Sequence, residues 1–177
     1  QSIDLFADAT WKLTWRLSLT AGIRATRETF RLSNLSRMNS GSPSTLGMLT
    51  GMYPNLFFMP VDETEEKESW TGLTYRAKLK YDLGPNSNLY AGYTKGRRPP
   101  VIQFNSSGTS EIMNEETLHS FDAGLKSAVG SRFWFDATAF YQLFNNFQTN
   151  AWVENNYLVR DAGKATSYGV ETSAKLA

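Results

Sequence analysis

Hydrophobic and polar residues alternate one by one along most of this chain. Between residues 16 and 26, Leu17, Leu19, Ala21, Ile23 and Ala25 share one parity, while Arg16, Ser18, Thr20, Gly22, Arg24 and Thr26 share the other. Successive side chains of a strand point to opposite faces, so the segment reads as a strand with one apolar side. Just upstream, Leu5, Ala7, Ala9, Trp11 and Leu13 alternate with Asp4, Phe6, Asp8, Thr10 and Lys12. Only Thr14-Trp15 separates the two windows, which predicts a tight hairpin. The same alternation returns at 73–82, 89–94, 121–126, 133–143 and 167–176. No helical period competes with it. The pattern predicts about seven consecutive strands of about ten residues each, against five to six in an ordinary sheet. A tilted strand needs about nine to eleven residues to cross a bilayer.

The connections alternate too. Those near 14–15, 83–88 and 129–131 are short, and those near 29–69, 97–117 and 148–157 are long. Short turns at one end and long loops at the other are the mark of an outer-membrane barrel, with turns periplasmic and loops extracellular. The predicted fold is all-β: an antiparallel up-and-down transmembrane β-barrel segment, with residues 1–177 forming part of one barrel domain.

Charge decides which face meets lipid. Asp4, Asp8, Lys12, Arg24, Arg76, Lys78, Lys80, Asp122, Lys126, Asp136, Glu171 and Lys175 all take the polar parity. A charge on the lipid face costs up to about 2–4 kcal/mol at mid-bilayer and far less near the interface. The exclusion therefore turns the apolar parity toward lipid. Lys95 takes the apolar parity, but at the outer end of its strand. Aromatic residues gather at both ends. Trp11, Trp15, Tyr81, Phe133 and Trp134 stand by the short turns, and Tyr93, Tyr141 and Phe147 toward the long loops, as two interfacial girdles would.

Composition removes several function classes. The chain has 177 residues, with 18 Lys+Arg, 17 Asp+Glu, one His and no Cys, for a formal charge of +1. No bulk positive field favours nucleic acid. Disulfides, thiolate zinc sites and multi-His metal sites are excluded. A Ser-His-Asp enzyme would have to use His119, and no flanking motif supports one, so no enzyme is expected. No apolar run approaches the 18 to 20 residues of a spanning helix. The opening Gln-Ser-Ile-Asp carries neither the basic start nor the apolar core of a signal peptide, so an exported protein would be mature or truncated here.

Four segments carry a family resemblance. They are Leu5-Phe6-Ala7-Asp8-Ala9-Thr10 running into Arg16–Arg24; Leu89-Tyr90-Ala91-Gly92-Tyr93-Thr94-Lys95-Gly96-Arg97-Arg98-Pro99-Pro100; Asn114–Thr117 followed by Phe121–Ser127; and Asp161–Ala165 followed by Tyr168–Glu171. In this order and spacing the chain resembles the barrel of TonB-dependent outer-membrane receptors of Gram-negative bacteria, siderophore receptors in particular. The likeness covers most of the chain except 29–69. It implies a larger barrel of about 22 strands around a plug domain that is not present here. It also implies energy-coupled uptake of a scarce ligand such as a ferric siderophore, with the TonB complex acting through a plug and TonB box outside this chain. The bilayer and lipopolysaccharide are the other expected partners. No cofactor, metal or nucleic acid is expected. The alternative is a passive outer-membrane channel or smaller porin-like barrel. Seven strands alone would leave two open edges in lipid, at several kcal/mol per unpaired backbone group, so further strands are expected to complete the wall.

Candidate ligand contacts lie in the long loops. Tyr53, Phe57 and Phe58 belong to an apolar, aromatic stretch inside 29–69. Arg97 and Arg98 place two cations where an anionic chelate would arrive, and Glu115 or Glu116 could equally pair with them. Gln103 and Trp152 join by chemistry and position. Asp62-Glu63-Thr64-Glu65-Glu66 lacks the ordered spacing of a calcium loop and reads as a solvated run.

Overall fold

The computed structural model describes residues 1–35, 63–104, 110–130, 132–153 and 156–176. Its main body is one seven-stranded antiparallel sheet. The strands are β1 (Ser2–Lys12), β2 (Leu17–Leu35), β3 (Glu63–Gly84), β4 (Ser87–Arg98), β7 (Glu116–Val129), β8 (Phe133–Asn145) and β11 (Ala165–Leu176), in the spatial order β1-β2-β3-β4-β7-β8-β11. Two small hairpins branch from it: β5 (Val101–Phe104) with β6 (Ser110–Met113), and β9 (Gln148–Val153) with β10 (Asn156–Asp161). The sheet is open, with β1 and β11 as its edges.

The short connections follow from turn chemistry. At the first, Thr14 Oγ1 accepts from the backbone N–H of Arg16 at 3.2 Å and of Leu17 at 3.0 Å, which folds the chain back on itself. Between β7 and β8, Gly130 takes a φ of 63°, a conformation open to residues without a Cβ. Between β3 and β4, Pro85 and Asn86 turn the chain after a register shift at Asp82/Gly84.

Register turns the sequence alternation into two chemically distinct faces. Trp11, Leu19, Leu79, Ala91, Ala123, Ala139 and Val170 form one cross-strand row on the apolar face. The next apolar row holds Ala9, Ala21, Ala77, Tyr93, Phe121, Tyr141 and Tyr168. Its rings touch, with centroids 5.0 Å apart for Tyr93–Phe121 and 6.3 Å for Tyr141–Tyr168. One row further, Lys95 pairs with His119, whose Nδ1 lies 2.8 Å from the Tyr93 hydroxyl. Almost nothing on this face is buried by the chain itself. Leu158, in a hairpin, is the one buried hydrophobic residue among those described. A sheet that keeps its apolar face uncovered is built for an apolar solvent.

Several charges of the polar face are paired: Arg24 with Asp4 at 3.0 Å, Arg76 with Asp8 at 2.7 Å, Lys80 with Asp82 at 3.0 Å and Lys126 with Asp136 at 3.2 Å. Some of these contacts skip a strand. Asp8 on β1 and Arg76 on β3 share a row with Gly22 of β2 between them, and the pair closes directly over that glycine. Tyr90 on β4 reaches Thr138 on β8 at 2.6 Å, passing over Gly124 of β7. A Cβ on Gly124 would stand 2.5 Å from the Tyr90 hydroxyl and 2.6 Å from the Ala137 carbonyl oxygen.

The long connections differ from the expectation in one respect. Residues 29–35 and 63–69 are not loop: the β2–β3 ladder continues from Thr29↔Ser69 to Leu35↔Glu63. With 19 and 22 residues, β2 and β3 outrun the 11 to 14 of the other five strands of the sheet. The alternation of hydrophobicity stops above Ala25 because both faces there are polar, while backbone pairing goes on. The 97–117 and 148–157 segments each contain a hairpin, and the second extends to Asp161.

Candidate functional site

The two hairpins meet above the long-connection end of the sheet. Pro99 and Pro100 end β4: neither offers an N–H to the ladder, so the chain leaves the sheet and folds separately as β5–β6. On the other side, β8 ends at Asn146, which takes a left-handed φ of 52°. The base of β9–β10 is closed by hydrogen bonds from Phe147 N–H to the Gly163 carbonyl and from Ala162 N–H to the Phe147 carbonyl, both 2.8 Å.

Gln148 ties these departures together. Its side chain is 4% exposed, and its Nε2 donates to the carbonyls of Asn114 at 2.8 Å and Pro99 at 3.1 Å. Its backbone N–H donates to Glu116 Oε2 at 2.7 Å, and its carbonyl accepts from Arg98 Nη1 at 3.3 Å. Asn146 Nδ2 adds a bond to the Glu115 carbonyl at 3.0 Å. Two carbonyls at the points where the chain leaves β4 and enters β7, those of Pro99 and Asn114, thus share one amide nitrogen as their donor.

The hairpins are then fastened side by side. Gln103 Oε1 accepts from the Val159 N–H at 2.8 Å, and Gln103 Nε2 donates to the Val159 carbonyl at 2.9 Å. A side-chain amide offers one donor and one acceptor in a plane, so it imitates a neighbouring strand. Arg160 Nη1 pairs with Glu111 Oε1 at 3.1 Å beside it.

Arg97 is held differently. Its side chain is 6% exposed, with Nη2 on Glu28 and Nη1 3.4 Å from Glu115 Oε2. Strict alternation would give Arg97 the apolar parity. The β3–β4 ladder stops at Tyr75↔Lys95, however, and the guanidinium swings over Gly72 on the polar face, filling the place a Cβ would occupy. Gly72 is the third glycine bridged by a side chain that skips a strand, here from β4 to β2.

The expected contact residues therefore divide. Arg97 and Gln103 are engaged inside the fold, Arg97 with Glu115 as the sequence allowed and with Glu28, which sequence reading missed. Arg98 is exposed and bonded to the Gln148 carbonyl. Trp152 stands out from β9, 59% exposed, and meets Tyr157 of β10 in an edge-to-face contact at 4.6 Å, with Tyr157 76% exposed. Tyr157 was not among the expected contacts, although a ring directly across a hairpin from Trp152 is a readable cue. Tyr53, Phe57 and Phe58 lie outside the described residues, as does Asp62. Glu63–Glu66 of the acidic run belong to β3, and no cluster of potential metal ligands occurs among the described residues. The arrangement offers exposed rings on a braced support, which suits binding.

Comparison with known proteins accords with this geometry. No curated protein matches the chain. Among solved structures, the ferric yersiniabactin uptake receptor FyuA from Yersinia pestis superposes with a TM-score of 0.74 at 17% identity, over 99% of this chain and 24% of that one. The closed form of the ferric-catecholate import receptor Fiu from Escherichia coli K12 gives 0.69 at 19% identity, over 98% and 25%. The hemophore receptor HasR of Serratia marcescens, solved with HasA and heme, gives 0.62 at 18% identity, over 98% and 31%. The chain thus spans about a quarter of the length of the first two receptors. The family model described as TonB dependent receptor-like, beta-barrel matches residues 1–177, and the chain belongs to that family of outer-membrane receptor barrels.

Proposed function

We propose that this chain forms part of the wall and ligand-capturing mouth of a receptor that imports a scarce metal chelate, such as a ferric siderophore, with energy coupled through TonB. On this reading the apolar face meets lipid, the polar face lines the lumen, and the long-connection end is extracellular. The observation that carries the capture role is the braced pair of hairpins. Its hydrogen-bonding groups are largely spent on each other, and Trp152 and Tyr157 are left projecting. Rigid rings held in place lose little entropy when a ligand packs on them. The similar receptors named above are described with ferric yersiniabactin, ferric catecholates and heme, which supports an iron chelate as the ligand class. Arg98, and Tyr53, Phe57 and Phe58 beyond the described residues, remain candidate contacts. Arg97 and Gln103 act on this reading by holding the platform.

The test uses the intact receptor in cells, with a panel of radiolabelled ferric siderophores, heme and cobalamin. One panel member should accumulate only while the cells are energised and TonB is present. Trp152→Ala and Tyr157→Ala should each weaken its binding about tenfold, as loss of an aromatic anchor does. Equal flux of small solutes with and without TonB would overturn the reading in favour of a passive channel.

A further inference from the structure

On the polar face of β1, β2 and β3 the two ends treat their cations differently. Toward the long connections, carboxylates answer the arginines: Asp4 holds Arg24, Asp8 holds Arg76, and Glu28 holds Arg97 of β4. Past the row Asp8–Gly22–Arg76, toward the short turns, the balance changes. The next row is Thr10–Thr20–Lys78, then Lys12–Ser18–Lys80, and Arg16 and Asp82 meet through their backbones at the end. A cleft of about 400 Å³ opens here, lined by Lys12, Arg16, Lys78 and Lys80, with Asp82 as its one carboxylate among the described residues. Lys80 engages Asp82 at 3.0 Å. Lys12, Arg16 and Lys78 form no ion pair among the described residues. Rings orient two of them instead: the Arg16 guanidinium lies 4.0 Å from the Trp15 ring centroid, and the Lys78 ammonium 4.0 Å from that of Tyr90. A ring attracts a cation but leaves its charge in place. The nearest carboxylate along the Lys78 row, Asp122, stands beyond Gly92 and forms no ion pair with it.

We propose that this cleft is a second, inner station for the imported chelate, and that the chelate is an anion carrying several carboxylate or phenolate oxygens. On these three strands the unneutralised cations of the polar face lie at the short-turn end alone, the periplasmic end in the proposed orientation. An anion released from the mouth is therefore drawn in the direction of import, and low-dielectric walls focus that attraction. Lys12 and Lys80 stand two strands apart, about 10 Å at the backbone, which suits an anion with its charge spread over several oxygens. The Thr10 and Thr20 hydroxyls, 2.9 Å apart, share one hydrogen bond and leave one proton to donate to an oxygen held between the cations. The inference rests on the uptake reading and adds to it the charge of the cargo and its next stop after the mouth.

The test uses the intact receptor in cells and the uptake panel, with ferric enterobactin as a trianion, ferrichrome as a neutral chelate and ferrioxamine B as a cation among its members. The member that energised cells accumulate should carry net negative charge. A neutral or cationic one would overturn this inference and leave the uptake reading standing, whereas accumulation of none would overturn both. With the accumulated member as probe, Lys12→Gln/Lys78→Gln should slow energised accumulation about tenfold, the low end of what a focused charge adds to a rate of entry. Binding to de-energised cells, which reads the mouth, should stay unchanged, and Lys12→Arg/Lys78→Arg should keep the wild-type rate. Heat-modifiable migration reports that each variant is folded, and the two single glutamine variants serve should the double one fail to fold. Undiminished accumulation by folded glutamine variants overturns the station. Leakage of small solutes through those variants would show that the cations hold a plug domain in place, and would overturn it too.

Discussion

Arg97 shows how a single residue can be rightly noticed and wrongly employed. Two adjacent arginines before two prolines draw the eye as bait for an anionic ligand, yet this guanidinium is enclosed by Glu28 and Glu115 and roofs Gly72. Its link to Glu28, a residue 69 positions away, could not be read from sequence, because it requires the β3–β4 ladder to end at Lys95 while β4 stays paired with β7. Removing one partner of an enclosed pair leaves the other charge uncompensated. For a pair still partly wet at Glu28, Arg97→Ala should cost about 1–3 kcal/mol of receptor stability, measured by urea unfolding in detergent micelles. Gly72→Ala should cost a similar amount by expelling the same guanidinium. Gly124→Ala is the harsher change, since a backbone carbonyl stands in the way as well as Tyr90, and about 2–3 kcal/mol is expected from overpacking. Tyr90→Phe, which keeps the ring and drops the bond to Thr138, should cost only about 0.5–1.5 kcal/mol.

Among the elements, the main strands were legible and the outworks were not. Alternation located β1, β4, β7, β8 and β11, and β2 and β3 as far as residues 26 and 73, because lipid on one side and water on the other impress a period of two on the residues between. The stem beyond Ala25 carries polar residues on both faces, and β5, β6, β9 and β10 are only 4 to 6 residues long, so neither writes an extended alternation into the sequence. Trp152 and Gln103 were recognisable by type, and only the fold reveals that one projects while the other serves as a mock strand for Val159. That role makes a prediction at the scale of the hairpin. Gln103→Glu keeps the acceptor for the Val159 N–H and loses the donor to its carbonyl. Amide exchange at Val159 should then quicken by up to about tenfold, the value of one net hydrogen bond, and more with Gln103→Ala.

Over the whole molecule, the open sheet is informative about solvent. An apolar face left bare and crossed by a ring-bearing row, with ion pairs on the polar face behind it, describes a membrane wall in section. Ala21 and Ala77 sit in the ring-bearing row, and Thr20 and Lys78 are their neighbours on the other face. Ala77→Arg, midway between Leu73 and Tyr81 on the apolar parity of β3, should therefore destabilise the receptor in bilayers by up to about 2–4 kcal/mol, while Thr20→Arg should cost under about 1 kcal/mol. Equal costs measured by folding into lipid vesicles would contradict the assignment of faces. The wall is incomplete within this chain, because the strand on either edge has one unpaired side.

The three bridged glycines bear on how such a wall fails. In an ordinary sheet each seam is independent, and two neighbouring strands can part while their other partners stay put. Here Asp8–Arg76, Arg97–Glu28 and Tyr90–Thr138 each bolt together strands that are not adjacent, so opening the seam on either side of a bridged glycine also breaks a bolt. A sideways load is shared across three strands at a time. The wall should resist unzipping strand by strand and give way, when it does, in broader panels.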